Sequence, residues 1–206
     1  MISKNLDNIE LDKFPVVIFG SGPAGISTAL ELEKKNINSL IIEAGNEDYS
    51  EESQDFYEGK IIGDQIMPLS ESRLRQFGGT SGLWGGTCKP LEKHAFDLWP
   101  IKSEDLEPYS KKTCAILDIK NQFRKTSLNK FMNQIEFQTS RVNFAEKYKN
   151  HIRNSDKITL VLNTQLLHFV GESKNTNHAI CLSDKTEKNI KGKYFILSCG
   201  GIENSR

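Results

Sequence analysis

The chain has 206 residues, enough for one large or two small domains with a substantial core. Lys and Arg total 27, as do Asp and Glu, so the net charge is zero and no basic field suggests nucleic acid as a partner. No apolar run approaches the roughly 20 residues of a membrane span. The polar start also lacks a signal-peptide core, so we expect a cytoplasmic protein.

A strand–turn–helix–strand unit is predicted over residues 14–45, after a polar lead-in (1–13) that we expect to fray. The apolar run Val16–Phe19 leads into the G-x-G-x-x-G pattern of Gly20–Gly25, and a later apolar run ends at Glu43. Such glycines allow a tight turn, a close approach to a pyrophosphate and close helix packing. The acidic strand end suits a ribose and disfavours the 2′-phosphate of NADP. The unit therefore predicts dinucleotide binding, with FAD and NAD both open, and with an ordinary packing turn as the alternative.

A second glycine-rich segment, RLRQFGGTSGLWGGTCKP, covers residues 73–90. So many glycines are entropically costly on folding, which indicates a backbone that lies against a ligand rather than a packing turn. Trp84 offers a flat apolar surface, and Arg75 is a candidate to balance phosphate charge, although a single exposed arginine needs no ligand. The small hydroxyl residues are candidates to hydrogen-bond phosphate or flavin oxygens: Thr80, Ser81 and Thr87.

The rest of the chain predicts helix and then strands. Four spaced aromatic residues are interpreted as core anchors, because lysines and arginines do not alternate with them as in a nucleic-acid groove: Phe123, Phe131, Phe137 and Phe144. From Lys157 on, strand patterns with a polar turn at 172–177 predict an antiparallel hairpin. The apolar run Tyr194–Ser198 predicts a buried central strand, and it ends in a Cys-Gly-Gly turn of the kind that binds ligands in open α/β sheets. The widely spaced cysteines and histidines predict no metal site and no disulfide.

Three separated segments together resemble the glucose-methanol-choline (GMC) family of FAD-dependent oxidoreductases: GSGPAG with IIEAG, GGTSGLWGGTCKP, and YFILSCGGIENSR. The passage Pro90–Tyr109 is similar to the bacterial sugar and gluconate dehydrogenase and pyranose oxidase branch. The resemblance implies an α/β fold, a Rossmann-like FAD-binding domain with a parallel sheet and an antiparallel β-meander. An incomplete substrate-domain portion and a truncated C-terminus are also implied. The expected divisions are 14–90 (FAD-binding βαβ unit and flavin loop), 91–156 (mostly helical insertion toward the substrate domain) and 157–206 (β-meander and last strand).

Position by position, the resemblance implies a site for non-covalent FAD. Leu83 stands where some relatives have a histidine that attaches FAD covalently, so the cofactor should dissociate. The diphosphate would be held by Gly20, Ser21, Gly22, Ala24 and Gly25. The adenosine would be bound by Glu43 at the ribose, with Ala44 and Gly45 beside it, and by the backbone of Leu166 at the adenine. The flavin and diphosphate would be lined by Gly78, Gly79, Thr80, Ser81, Trp84, Gly85, Gly86 and Thr87. Gly200 and Gly201 would lie near the ribityl chain or the diphosphate.

The family reaction is the oxidation of an alcohol, in which a base removes the hydroxyl proton while hydride passes to flavin N5. None of the four histidines matches the C-terminal segment that carries the family's base, so no catalytic residue is assigned. We expect the N-terminal part of a sugar or alcohol dehydrogenase or oxidase, inactive alone, with an electron-acceptor protein as a candidate partner. The alternatives are one half of a split enzyme, a non-catalytic flavin-binding remnant, and another flavoprotein or an NAD-binding reductase.

Overall fold

The computed structural model describes residues 1–64, 67–172 and 175–205. It divides into two compact units: a first unit, Met1–Leu83 with Asn143–Arg206, and a second unit, Trp84–Val142. The helices are α1 (Pro23–Lys34), α2 (Glu51–Gln54), α3 (Ser103–Leu106), α4 (Ser110–Ile116) and α5 (Phe144–Asn154). The strands are β1 (Ile2–Ser3), β2 (Val16–Phe19), β3 (Ser39–Ile42), β4 (Thr87–Cys88), β5 (Lys125–Ser127), β6 (Asn133–Ile135), β7 (Gln138–Thr139), β8 (Ile158–Val161), β9 (Thr164–Glu172), β10 (Asn175–Ser183), β11 (Thr186–Lys191) and β12 (Tyr194–Leu197).

A five-stranded parallel sheet in the order β1-β8-β3-β2-β12 forms the centre of the first unit. Strands β2, β3 and β8 are buried at every position, because their short apolar runs are covered on both faces. Val17 pairs with Leu40 on one side and with Phe195 on the other. The predicted Rossmann-like parallel sheet is confirmed.

Helix α1 connects β2 to β3 as predicted. Its buried residues, Gly25, Ile26, Ala29 and Leu30, recur at helical spacing and face the sheet. The helix ends at Lys34, and Asn36 has a positive φ of 59°, a conformation that asparagine tolerates at a helix end.

Helix α5 belongs to the first unit, whereas the sequence places residues 144–154 within the 91–156 insertion. Asn143 caps the helix, with Oδ1 accepting the N–H groups of Ala145 (3.0 Å) and Glu146 (3.3 Å). Phe144 and Ile152 are buried on its inner side. These two side chains pack the helix into the first unit. The second unit therefore ends before the helix, at Val142.

The N-terminal segment is ordered, so the expectation of a frayed lead-in is wrong. Strand β1 pairs with β8, with Ile2 opposite Leu160, and Leu6 is only 6% exposed. Burial of apolar side chains is favourable even in so short a segment, and the edge of the sheet provides the surface against which they pack. The lead-in therefore supplies one edge strand of the sheet.

An antiparallel meander, β11-β10-β9, follows β8 and confirms the predicted hairpin. It also contains a third strand, β11, which the sequence joins to the last apolar run. Asp184 and Lys185 have φ values of 47° and 60°, the conformation of a two-residue turn between twisted strands. Phe169 of β9 makes an edge contact with Phe19 at 5.6 Å, so the meander packs on the parallel sheet.

The last strand, β12, lies at the edge of the sheet formed by the described residues, and its predicted central position stays a prediction. It pairs with β2 alone, and Tyr194 and Leu197 are 57% and 43% exposed. The apolar run predicted burial on both sides, but only Phe195 and Ile196 are partly covered.

The second unit contains short helices and two small antiparallel ladders, β4-β7 and β5-β6, rather than mostly helix. Phe131 and Phe137 are 87% and 62% exposed there, so they are not core anchors, whereas Phe144 of the first unit is buried. The β5-β6 hairpin has little surface against which an aromatic ring could pack, because the residues of both strands are largely exposed. Within the described ranges, no helix is long and apolar enough to cross a bilayer.

Candidate dinucleotide site

A cavity of about 1010 Å³ opens at the carboxyl ends of β2, β3 and β12, with β9 as a side wall. Ligands bind at this end of open parallel sheets. Eleven of the residues predicted from the sequence line it: Gly20, Gly22, Ala24, Glu43, Ala44, Arg75, Gly79, Thr80, Leu166, Gly200 and Gly201.

The N-terminus of α1 faces this cavity without a side-chain cap. Gly22 occupies the N-cap position and makes no capping hydrogen bond, so the first N–H groups of the helix are available to an anion. A Cβ at Gly22 would meet nothing within 4 Å. Gly79 packs directly against this turn, because a Cβ there would lie 3.0 Å from the Gly22 Cα. The backbone here is therefore shaped to admit a ligand at close range.

Glu43 is held in place by three internal hydrogen bonds. The residue is 6% exposed, and its carboxylate accepts the Ser21 N–H (2.9 Å) and hydroxyl (2.6 Å) on one oxygen and the Gly45 N–H (2.8 Å) on the other. An ionised carboxylate offers about four lone-pair sites. One acceptor position therefore remains for a ligand hydroxyl, in a geometry fixed before binding.

Several predicted residues support the wall from behind. Ser21 is fully buried, and its hydroxyl also accepts the Gly78 N–H at 3.3 Å. Ser81 donates to the Gly78 carbonyl at 2.6 Å and accepts the Phe144 N–H at 3.0 Å. These hydroxyls thus join the two glycine-rich segments to each other and to α5.

The remaining glycines of this group allow close packing. A Cβ at Gly25 would lie 2.0 Å from the Gly20 carbonyl oxygen, and one at Gly45 would lie 2.0 Å from the Arg75 carbonyl oxygen. Gly78 has a φ of +85° and packs against Ala145. The fold therefore requires glycine at these positions.

Four predicted residues, Trp84, Gly85, Gly86 and Thr87, belong to the second unit. The Trp84 indole N–H donates to the Val142 carbonyl at 3.1 Å, and a Cβ at Gly86 would lie 1.8 Å from the Ser140 carbonyl oxygen. Their predicted contacts with flavin stay a prediction.

The structure adds charged and aromatic residues that sequence reasoning missed. Arg73 lies over the Tyr57 ring, 3.9 Å from its centroid, and forms a 2.7 Å ion pair with Glu203, 130 residues away in sequence. Burial, together with the nearby negative charge of Glu43, raises the pKa of Tyr57 to about 12. All three side chains line the cavity, and only the fold brings them together.

The turn after β12 closes the site from the other side. The Ser198 hydroxyl lies 2.7 Å from the Phe19 carbonyl oxygen and 2.9 Å from that of Gly20, so it joins the last strand to the first glycine turn. Asn204 accepts the Cys199 N–H at 2.9 Å. Burial raises the pKa of the Cys199 thiol to about 11, which keeps it neutral at physiological pH.

The histidines are dispersed. His168 lines the cavity on β9, whereas the His151 ring hydrogen-bonds Glu33 at 2.5 Å outside it. Among the described residues, no group of three or more histidine, cysteine or acidic side chains could hold a metal ion.

The residues present fit a dinucleotide such as FAD. The cavity combines an uncapped helix N-terminus, glycine positions at which a Cβ would enter open space (Gly22, Gly200 and Gly201), and a preorganised carboxylate at the end of the second strand. These features correspond to the requirements of the diphosphate and of the ribose.

No family model matches the chain, and no curated protein matches it either. Among solved structures it is similar to pyridoxine 4-oxidase from Mesorbium loti (14% identity, TM-score 0.58, 93% of this chain and 50% of that chain). It also matches p-nitrophenol 4-monooxygenase from Pseudomonas putida (11% identity, TM-score 0.48, covering 94% and 42%). A geranylgeranyl bacteriochlorophyll reductase-like protein from Thermoplasma acidophilum matches with 13% identity and a TM-score of 0.48, covering 93% and 40%. The first similarity confirms the Rossmann-like fold, and the chain spans about half the length of that oxidase.

Proposed function

We propose that the first unit binds FAD non-covalently and that the chain is the N-terminal part of a GMC-type oxidoreductase acting on CH–OH donors, a sugar or another alcohol. The observation that carries the proposal is the uncapped N-terminus of α1, which faces a glycine-lined cavity opposite the fixed carboxylate of Glu43. The three motif segments that resemble the family support it. So does the fold shared with pyridoxine 4-oxidase, which is an oxidase of a small molecule by its name.

Each part of the cavity has a task in this proposal. The N–H groups at the start of α1 bind the diphosphate, and Gly22 lets it approach the backbone. Glu43 accepts a ribose hydroxyl. When bound, FAD supplies the hydride acceptor of the reaction. The base that removes the substrate proton is expected outside this chain, supplied by a further segment or by a second polypeptide.

Binding is tested by titrating the purified chain with FAD and following flavin absorbance and fluorescence. Gly22→Ala places a methyl group where the diphosphate must approach, and we expect the dissociation constant of FAD to rise roughly tenfold or more. Gly59→Ala is the matched control, because its Cβ would make only an ordinary 3.4 Å contact with Leu69 outside the cavity. Absence of FAD binding, or binding of NADH in its place, would refute the proposal.

A further inference from the structure

We propose, on the basis of the FAD site above, that Arg75 recognises the adenosine end of the dinucleotide as a flat stacking platform. The sequence offered Arg75 as a counter-ion for phosphate. The structure gives it a different setting, which is defined by its hydrogen bonds, its ring contact and its neighbours.

Two hydrogen bonds fix the guanidinium of Arg75. Nη1 donates to the Ser53 hydroxyl at 3.0 Å and Nη2 donates to Gln165 Oε1 at 3.1 Å. The partners come from α2 and β9, so the group is held from two separate elements. A planar cation fixed at both terminal nitrogens keeps one orientation and has fewer donors left for a phosphate.

The ring of Phe56 covers one face of this cation. Cζ of Arg75 lies 4.4 Å from the Phe56 centroid, within the range of a cation–π contact. Both residues line the cavity. In the proposal, the opposite face of the guanidinium stacks on the adenine, since nucleobases stack on arginine planes.

The neighbours of Arg75 are those expected at the nucleoside. Gln165 directly precedes Leu166, the position expected to contact adenine, and Glu43, the expected ribose ligand, attracts Arg75 electrostatically. Glu203 also acts on Arg75. Because both terminal nitrogens of Arg75 already donate to protein oxygens, a stacking role for the guanidinium plane is favoured over charge balance at the diphosphate.

The test compares Arg75→Lys with Arg75→Met by measuring the dissociation constants of FAD and of ADP calorimetrically at two salt concentrations. Lysine keeps the charge but not the plane, so both variants should bind both ligands roughly three- to thirtyfold more weakly. The salt dependence should stay as in the wild type, because no phosphate contact is lost. Wild-type affinity in Arg75→Lys, or a reduced salt dependence in Arg75→Met, would overturn the inference.

Phe56→Leu gives an independent measurement, since it removes the support behind the cation and keeps Arg75. We expect roughly threefold weaker binding of FAD and ADP. Phe137→Leu is the control, because Phe137 is an exposed phenylalanine of the second unit and should leave both affinities unchanged. Unchanged affinity in Phe56→Leu counts against the platform. If the wild type binds neither FAD nor ADP, the proposed function fails; if it binds both and these variants behave normally, only the role of Arg75 fails.

Discussion

The buried hydroxyl of Ser21 should contribute more to stability than a comparable hydroxyl elsewhere, because it serves a carboxylate. Ser21→Ala removes the 2.6 Å hydrogen bond to Glu43 and leaves the Gly78 N–H without this acceptor. A hydrogen bond to a charged group contributes roughly 1.5–3 kcal/mol, and an unsatisfied buried N–H costs roughly 1–3 kcal/mol. Because the two costs overlap, we expect Ser21→Ala to lower the free energy of unfolding by about 3 kcal/mol.

Ser81→Ala is the matched control. Ser81 is also buried, donates one hydrogen bond and accepts one, but both of its partners are neutral backbone groups. We expect a loss of about 2 kcal/mol, roughly 1 kcal/mol less than for Ser21→Ala. Urea unfolding followed by far-UV circular dichroism measures both values. Equal losses, or a larger loss in Ser81→Ala, would refute the reasoning that Glu43 depends on Ser21.

Four further substitutions test other parts of the first unit. Gly22→Ala should change the free energy of unfolding by no more than about 0.5 kcal/mol relative to the wild type. Gly20→Ala should lower it by roughly 3 kcal/mol or more, because Gly20 has a φ of +99° and its Cβ would lie 2.5 Å from a carbonyl oxygen. A hydrogen bond from Lys149 lowers the pKa of Glu47 in the folded state. The stabilisation that this contact gives the fold is therefore present above the pKa of Glu47 in the unfolded chain, and it is lost as the pH falls through the pKa of Glu47 in the folded chain. Glu47→Gln should therefore cost about 0.5 kcal/mol at pH 7 and nothing in acid, as measured by urea unfolding at each pH. Leu6→Ala should cost about 2–3 kcal/mol in the same assay at pH 7, and a value near zero would mean that the N-terminal segment is not part of the core.

The first βαβ unit could be predicted from the sequence because its signals are local. Glycine spacing, helical periodicity and the acid at Glu43 all lie within 32 residues, and the structure places each in the predicted element. The turn at Asp184 and Lys185 could not be predicted in this way, because both residues adopt positive φ without the Asn-Gly or Asp-Gly sequence that announces such a turn.

Long-range relations account for the rest of what the sequence did not reveal. The ion pair of Arg73 with Glu203 and the hydrogen bond from Arg75 to Gln165 join residues 130 and 90 positions apart. The edge position of β12 depends on which strands pair with it, and its apolar run is compatible with both an edge and a central strand. These features follow from topology, to which local patterns are insensitive.

The glycines of the site separate into two groups that the motif alone does not distinguish. Gly20 and Gly25 are required by the fold, because a Cβ at either would overlap a carbonyl oxygen. Gly22 is different: its φ of −72° and ψ of −174° suit any residue, and a Cβ there would meet nothing within 4 Å. Serine, aspartate or asparagine would cap α1 better, so glycine at this position costs helix stability. The fold gives no reason for it, whereas the close approach of the diphosphate in the proposed FAD site requires it.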